Sequence, residues 1–309
     1  MSEAQFAFFE GRIVPIDQAR VSIMNHTFNY GTGCFEGIRA YWNEDEEQLL
    51  LFRLEEHYQR LKHSAGYLEI DLPYSVQDLC GITLDLLRQA GSRSDTYVRP
   101  LMYKSSNVIG CRLHALDAAF ALFAVPFGRY VENEEAVHTG VSSWRRNPDS
   151  SIPARGKIGG AYVNSALSKT WAHKHGYDEA IVLNQDGNVA EGSAENLFMV
   201  RHSRLITPPL TEDILEGITR DTIIQLANHD LGLEVQERPI DRSELYVADE
   251  LFLCGTGAQV AAVVSVDQRP VGTGVMGAVT ASVRDLYFDV VRGKVAPYRT
   301  WCTPVYVPS

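Results

Sequence analysis

The sequence predicts a mixed α/β or α+β fold in two domains. Strand-like runs and helix-like repeats alternate along the whole chain, and its 309 residues are about twice the length of a typical domain. The stretch 126–135 interrupts this pattern with proline, glycine and several charged residues, which is typical of a connection. We therefore expect a small N-terminal α/β domain over 1–125, a connection over 126–135 and a larger C-terminal domain over 136–309.

The N-terminal half contains one helix-like and two strand-like segments. Apolar residues recur at spacings of four and three from Leu54 to Leu68, which describes one face of a helix, and Arg60 lies beside that face. The runs 96–103 and 118–125 are apolar and rich in β-formers, so we expect strands there.

The second half repeats this mixture of elements. An apolar pattern over 162–175 predicts a helix that Gly176 ends, and the run 180–183 predicts a strand. The Asp186-Gly187 pair that follows is a hairpin-turn sequence. Elements of both kinds thus occur on each side of the connection.

Composition excludes several classes of protein. The chain has 28 basic and 39 acidic residues, a net charge of −11, which repels nucleic-acid backbones. The longest apolar run has eight residues, far short of the roughly 20 that a membrane helix needs, and the N-terminus lacks a signal-peptide pattern. Five scattered cysteines without a CxxC motif indicate reduced, buried thiols and no zinc site. We expect a soluble cytoplasmic protein with no nucleic-acid or membrane partner.

One lysine stands out chemically. Lys157 lies among glycines in the segment RGKIGG, just before the predicted 162–175 helix, whereas Lys62, Lys169 and Lys174 have polar helical surroundings. A lysine that forms a Schiff base needs room around its amine and a neutral form, since the neutral amine is the nucleophile. A surface lysine in a glycine-rich loop is the alternative that residue types alone leave open.

Other segments are suited to a charged heterocycle and a phosphate. Glu191 and Glu195 flank small residues after the hairpin turn, and a carboxylate there can pair with a protonated ring nitrogen. Thr219 is a candidate N-cap for a helix whose first amides favour an anion, and 255–258 (GTGA) follows the strand-like run 251–254. An exposed hairpin and an ordinary capped helix are the alternatives.

Together these segments resemble the branched-chain aminotransferases of the class IV, or fold-type-IV, family of pyridoxal-phosphate enzymes. The resemblance is collinear from about Phe8 to Gly293. Its most specific stretches are 30–39 (YGTGCFEGIR), 57–61 (HYQRL), 97–100 (YVRP), 157–160 (KIGG), 175–177 (HGY), 191–198 (EGSAENLF) and 217–221 (GITRD).

The resemblance implies a role for each matching residue. Lys157 would be the Schiff-base lysine and proton shuttle for pyridoxal 5′-phosphate, and Glu191 would hold the pyridine nitrogen protonated. The other cofactor contacts implied are Tyr162 to the ring hydroxyl, Leu215 packed on the ring, and Arg60, Ile218, Thr219 and Thr256 around the phosphate. The residues that would line the substrate pocket are Tyr30, Phe35, Gly37, Arg39, Tyr97, Arg99, Tyr130, Ala194, Gly257 and Ala258.

The implied reaction is transfer of an amino group between L-leucine, L-isoleucine or L-valine and 2-oxoglutarate. The implied fold has the cofactor between a small and a large domain, in a homodimer whose loops, here near Val108, each close the partner's pocket. Two departures concern the substrate side: Gly257-Ala258-Gln259 replaces the usual Ala-Ala-Glu, and Phe127 stands where many relatives carry Trp.

Three alternatives remain at this stage. Within the fold they are a transaminase for D-amino acids or (R)-amines and an aminodeoxychorismate lyase, although Tyr97 with Arg99 favours the branched-chain type. A metabolite-binding module without cofactor is the third, and the joint presence of Lys157, Glu191, Tyr162 and Arg60 argues against it.

Overall fold

The computed structural model describes residues 4–128 and 133–306. Its β-strands are, in chain order, β1 Phe6–Phe9, β2 Arg12–Pro15, β3 Gly33–Phe35, β4 Ile38–Asn43, β5 Gln48–Phe52, β6 Thr96–Lys104, β7 Ala118–Pro126, β8 Val137–Arg145, β9 Glu179–Leu183, β10 Val189–Gly192, β11 Asn196–Arg201, β12 Arg204–Thr207, β13 Val235–Glu237, β14 Glu250–Gly255, β15 Gln259–Val266, β16 Arg269–Pro270 and β17 Cys302–Pro304. Its α-helices are α1 His26–Tyr30, α2 Leu54–Tyr67, α3 Val76–Ala90, α4 Tyr162–Lys174, α5 Ile218–His229 and α6 Ala278–Val291.

The described residues divide into two compact units. Unit 1 holds 4–128, 156–160 and 289–306, and unit 2 holds 133–155 and 161–288. The lysine segment and the C-terminal segment thus belong with the N-terminal part of the chain, unlike the sequence-based division. The reason is strand pairing over long sequence separations: Ile158 forms a β-bridge with Cys34, and β17 pairs with β5.

Unit 1 is built on an antiparallel sheet. Its strand order is β17-β5-β4-β6-β7-β1-β2, with β3 paired to β6. Along β6 buried and half-buried residues alternate, so Tyr97 and Arg99 share the half-buried face. Sequence alternation in β6 therefore determines which side chains this sheet presents together.

Two helices of unit 1 follow from sequence signals. Helix α2 buries a face that includes Leu54, Tyr58 and Leu61, as the spacing predicts, and Arg60 lies half-buried at its flank. Helix α3 begins with a capping box between Ser75 and Asp78, in which each side chain accepts a hydrogen bond from the other residue's backbone N–H.

Unit 2 is built on a mixed sheet. Its order is β10-β9-β8-β15-β14-β11-β12-β13, with β16 paired to β15, and β8 runs parallel to both β9 and β15. All five residues of β9 are buried, as expected for a strand inside a covered sheet. A short turn, 193–195, joins β10 to β11, and a three-residue loop, 256–258, joins β14 to β15.

The mixed α/β fold class is confirmed, as are the strands expected over 96–103, 118–125, 180–183 and 251–254 and the helix over 162–175. The N-cap prediction for Thr219 was wrong: Gly217 is the N-cap of α5, and Thr219 is the second residue of the helix. The expectation of buried cysteines fails for Cys111, which is exposed. Among residues 4–128 and 133–306, no helix is long and apolar enough to cross a membrane.

Candidate active site

Lys157 lies in a backbone segment that unit 1 holds on both sides. Its carbonyl oxygen accepts a hydrogen bond from the Phe35 amide at 3.1 Å, and its own amide donates to Ser64 Oγ at 3.0 Å. Its amine is 5.2 Å from the centre of the Phe35 ring. Nearby, a Cβ on Gly31 would lie 2.8 Å from Gly160 Cα, so these two segments approach this closely only because both residues are glycine. The half-buried lysine therefore stands on a fixed backbone.

A buried carboxylate, Glu36, organises the cations near Lys157. Its Oε1 accepts from Arg60 Nε at 2.6 Å, and its Oε2 accepts from Arg60 Nη2 at 2.8 Å. His57 Nδ1 is also 2.8 Å from Oε2. Burial alone raises the pKa of Glu36, but the Arg60 charge and the His57 and Arg60 hydrogen bonds outweigh it and hold that pKa far below its usual value. Glu36 is thus ionised and fixes the Arg60 guanidinium in a fork-like pair.

The same carboxylate determines the state of His57. Burial lowers the pKa of His57, and the charges of Arg60 and Lys157 lower it further, while Glu36 acts in the opposite direction. A neutral His57 beside an ionised acceptor must carry its proton on Nδ1 and donate it to Glu36. Sequence reasoning did not single out Glu36 or His57, although both lie inside the motifs it used.

Arg99 and Tyr97 form a polar pair beside an aromatic ring. Arg99 Nη2 donates to Tyr97 Oη at 2.9 Å, and the guanidinium carbon is 4.4 Å from the centre of the Phe35 ring. Arg99 Nε is buried and has no hydrogen-bond partner among residues 4–128 and 133–306. A Cβ on Gly37 would lie 2.2 Å from Tyr97 Oη, so glycine is required for the tyrosine to reach this position. The arginine therefore has donor capacity that the protein leaves unused.

Two other expected pocket residues of unit 1 have clear structural contacts. Arg39 is 3% exposed and its Nη2 donates to the carbonyls of Phe127 and Gly128. Tyr30 Oη accepts from the Gly110 amide at 3.0 Å, which ties α1 to the loop that follows β6. Tyr130 lies outside the described residues.

In unit 2 the buried carboxylate of Glu191 lies on β10, one residue before the strand ends at Gly192. Arg146 Nη2 lies 2.5 Å from its Oε1, and its Oε2 accepts from Asn196 Nδ2 at 3.0 Å and from the Leu215 amide at 3.2 Å. Asn196 Nδ2 also reaches the Leu215 carbonyl at 3.1 Å. These donors stabilise the ionised form of Glu191. Neither Arg146 nor Asn196 was named from the sequence as a functional residue.

Glu216 and Gly217 connect Leu215 to Ile218, the first residue of α5. A Cβ on Gly217 would lie 1.9 Å from Asn196 Oδ1, so only glycine lets the turn pass this side chain. Ile218 and Thr219, both buried, are the first two residues of the 12-residue helix. The start of a helix attracts anions through its backbone N–H groups and its dipole, which suits the phosphate role expected of this segment.

Other expected contacts of unit 2 lie on loops and at a helix start. Thr256, Gly257 and Ala258 form the three-residue loop between β14 and β15. Ala194, which is exposed, lies in the turn between β10 and β11, and half-buried Tyr162 is the first residue of α4. Loop positions of this kind place backbone N–H groups and small side chains where a ligand can approach.

Glu195 contrasts with the other buried acids. Burial raises its pKa, the charge of Glu179 raises it further, and Glu191 acts in the same direction. A hydrogen bond from the Ala194 amide and the charge of Lys169 only partly oppose this effect. Glu195 therefore holds a proton far more readily than an ordinary glutamate.

These groups complement one kind of cofactor. Unit 1 supplies an accessible amine and a fixed cation, and unit 2 supplies an ionised carboxylate, a helix start and a threonine hydroxyl. Taken by itself, the set in unit 1 suits an aldehyde and a phosphate, and the set in unit 2 suits a basic ring nitrogen and a phosphate. The residues present therefore fit such a group.

Comparison with known proteins gives matches to aminotransferases. The amino-transferase class IV family model matches residues 33–266. A probable branched-chain-amino-acid aminotransferase of Aquifex aeolicus is 51% identical over 301 residues, covering 97% of each chain.

Two solved structures have nearly the same fold. The branched-chain aminotransferase of Thermoproteus uzoniensis, solved with norvaline, is 42% identical with a TM-score of 0.94, covering 98% of this chain and 100% of the other. The enzyme of Thermobaculum terrenum in its PLP form is 39% identical with a TM-score of 0.94, covering 98% and 99%. With a relative at 51% identity over nearly its whole length, this chain belongs to the branched-chain aminotransferases of the class IV aminotransferase family.

Proposed function

We propose that this enzyme transfers the amino group of L-leucine, L-isoleucine or L-valine to 2-oxoglutarate, giving the branched 2-oxo acid and L-glutamate. That it is an aminotransferase follows from its family. The choice of substrates rests on one observation: the buried Nε of Arg99, beside the apolar Phe35 ring, has no partner in the part of the chain that the structure describes. An apolar surface with a spare cationic donor suits both an aliphatic side chain and an acidic one.

The cofactor is pyridoxal 5′-phosphate, the group that aminotransferases of this class use. When bound, it supplies the electron sink that stabilises negative charge at the substrate Cα. Lys157 would hold it covalently through the amine, and Arg60, Thr219, Thr256 and the amide of Ile218 would hold its phosphate. Leu215 would pack on the ring and Tyr162 would donate to, or accept from, the ring hydroxyl.

The residues of the chain would then hold charges and move one proton. Glu191, kept ionised by its donors, would keep the ring nitrogen protonated. Lys157 would carry the proton between the substrate Cα and the former aldehyde carbon, since its half-buried amine stands on the fixed 156–160 segment of unit 1. Glu36 would balance the charge of Arg60, so that the cation stays oriented without a mobile counter-ion.

The substrate would be held by backbone and side-chain donors. We expect the amides of Gly257 and Ala258 to bind the α-carboxylate. Phe35, Gly37, Tyr30 and Arg39 would shape the walls, as would Tyr130 and Ala194. Tyr97 and Arg99 would meet the side chain of the substrate.

We also propose that the active form is a homodimer. The support is a group of large apolar residues of unit 1 that are 51% to 80% exposed, namely Val21, Ile23, Met24, Phe28 and Ile109. Exposed apolar residues that lie close in sequence to α1 and to Val108 are typical of a surface that another chain covers. Sedimentation of the wild type and of Phe28→Glu tests this, and a wild-type monomer with full activity would contradict it.

The substrate proposal is tested by half-reactions followed in the cofactor absorption band. The panel is L-leucine, L-glutamate, D-alanine and an (R)-aryl amine at matched concentrations. We expect both L-amino acids to convert the cofactor at rates at least tenfold above those of the other two. A preference for D-alanine or the amine would reject the proposal and leave the aminotransferase assignment intact.

A further inference from the structure

The loop between β14 and β15 ends in an unusual conformation. The loop residues 256–258 are closed by the pair of Gly255 with Gln259. Gln259 has a φ of +57° and is 4% exposed. A three-residue hairpin loop commonly needs a left-handed residue at this point, and glycine takes that conformation without strain. A glutamine here is strained by its backbone conformation, so contacts of its buried side chain must hold it there.

The side chain of Gln259 is bonded to a buried acid. Its Nε2 donates to Glu134 Oε1 at 3.1 Å, and Glu134 is 3% exposed. The backbone oxygen of Glu134 accepts from the Ala262 amide at 2.8 Å. Glu134 is therefore attached to β15 at two points, once through the backbone and once at the end of the loop.

Among the described residues, Arg284 is a loose counter-ion of Glu134. Arg284 Nη2 lies 3.9 Å from Glu134 Oε2 and 3.6 Å from Glu135 Oε1, and within the same residues Arg284 Nε is buried without a hydrogen-bond partner. The amide of Gln259 donates to this carboxylate at a closer distance. A hydrogen bond to a buried charge is among the stronger polar contacts, because the charge is costly to leave unsatisfied.

The chemistry also explains why the residue is glutamine. A glutamate at 259 would place two carboxylates in one buried site beside the loosely placed Arg284. Glutamine replaces that repulsion by a donor.

We propose that Gln259 and Glu134 are positioning residues that fix the 256–258 loop, so that the amides of Gly257 and Ala258 bind the substrate carboxylate. Neither residue touches the substrate; both act through the backbone of the loop. This inference rests on the proposed role of these amides.

The test uses the holoenzyme with four variants and one control. Gln259→Gly keeps the left-handed backbone and removes the side chain. Gln259→Glu and Glu134→Gln each break the donor–acceptor match, and the double variant restores it with the roles exchanged. The control is Gln268→Glu, because Gln268 is also left-handed, with a φ of +64°, but exposed in the turn between β15 and β16.

Two measurements are needed. The first is the dissociation constant of 4-methylpentanoate, which is leucine without its amine, together with KM and kcat for leucine. The second is hydrogen exchange of peptides that cover 255–262. We expect the three single variants at 259 and 134 to weaken acid binding and raise KM about tenfold or more, with a smaller change in kcat and faster exchange in the loop. The double variant should recover most of the acid affinity and of the exchange protection, and the control should match the wild type.

Wild-type acid affinity and exchange in Gln259→Gly would overturn the proposal, since the left-handed backbone alone would then suffice. A double variant no better than the single variants would overturn it too. Faster exchange without weaker acid binding would place the substrate carboxylate elsewhere, so that the role of the loop amides fails while the Gln259–Glu134 contact stands. A wild type inactive on leucine is a failure of the proposed substrate, which the exchange measurement does not depend on.

Discussion

Replacing Arg99 by leucine separates the two substrates that the enzyme must accept. In the structure Arg99 donates through Nη2 to Tyr97 and packs on Phe35, while its buried Nε has no partner among the described residues. The γ-carboxylate of glutamate would supply the missing acceptor, whereas leucine would leave Arg99 with its protein contacts alone. The Arg99→Leu variant should therefore lose affinity for glutamate and 2-oxoglutarate much more than for leucine.

The magnitude follows from the hydrogen bond between Arg99 and the acidic substrate, which the leucine side chain does not make. A hydrogen bond between charged groups contributes roughly 1.5–3 kcal/mol, which corresponds to a factor of roughly 10–150 in KM for the acidic substrate. For leucine the variant removes an unsatisfied buried donor and adds apolar surface, so a change of less than about threefold is expected. The ratio of the two effects is the quantity that identifies a carboxylate-binding role.

The assay is a pair of half-reactions, one with L-glutamate and one with L-leucine, each followed in the cofactor band. Arg99→Lys keeps the positive charge but lacks the planar guanidinium. Its affinity for glutamate should therefore lie between those of the wild type and Arg99→Leu. Tyr97→Phe is the matched control, since it removes the hydroxyl partner of Arg99 and leaves the guanidinium. Equal decreases in affinity for both substrates in Arg99→Leu would refute the reasoning and leave Arg99 as a wall of the pocket.

Four further predictions concern the charged groups around the cofactor. Lys157→Ala should abolish turnover, while circular dichroism should show a folded protein. A near-native kcat would mean that Lys157 has no role in the mechanism. Glu191→Gln should retain the cofactor but slow single-turnover rates by more than about tenfold, because a neutral amide does not keep the ring nitrogen protonated; unchanged rates would mean that it faces elsewhere. Arg60→Ala should weaken pyridoxal phosphate binding by about 2 kcal/mol, measured as a dissociation constant, and an unchanged constant would separate Arg60 from the phosphate. The pKa of Glu36 is lowered in the folded state, so the stability that its charge contributes is present above the ordinary value of 4.5 and is lost as the pH falls below it. Glu36→Gln should therefore lower the free energy of unfolding at pH 7 by about 3–5 kcal/mol and make that free energy less dependent on pH in the acid range. Parallel pH profiles of the variant and the wild type would contradict this prediction.

Local patterns predicted most of the secondary structure because local physics determines it. The spacing of apolar residues from Leu54 places α2, and the alternation along β6 places Tyr97 and Arg99 on one face. Such local patterns could not predict that Lys157 belongs to unit 1. It depends on the bridge of Ile158 to Cys34 and on Ser64 as a hydrogen-bond partner, contacts between residues more than 90 positions apart.

Some residues of the candidate site could be predicted from the sequence, and others could not. The motifs identified the lysine and Glu191, yet the groups that set their surroundings came only from the fold. Arg146 and Asn196 reach Glu191 from other strands and their ends, and nothing in the spacing of these residues along the chain indicates it. The helix start at Gly217 was misplaced by two residues because a hydroxyl residue was favoured as N-cap over a glycine that the side chain of Asn196 requires.

Glu36 and Glu195 show why residue type does not determine charge at such a site. Both are almost completely buried, and burial raises the pKa of each. Around Glu36 the guanidinium of Arg60 and a donating His57 reverse that effect, so the acid is ionised and its charge orients a cation. Around Glu195 burial raises the pKa, and the charges of Glu179 and Glu191 raise it further, so this acid binds a proton more readily than an ordinary glutamate. Residue type and burial are alike at Glu36 and Glu195, and the neighbouring charges make the difference between their pKa values.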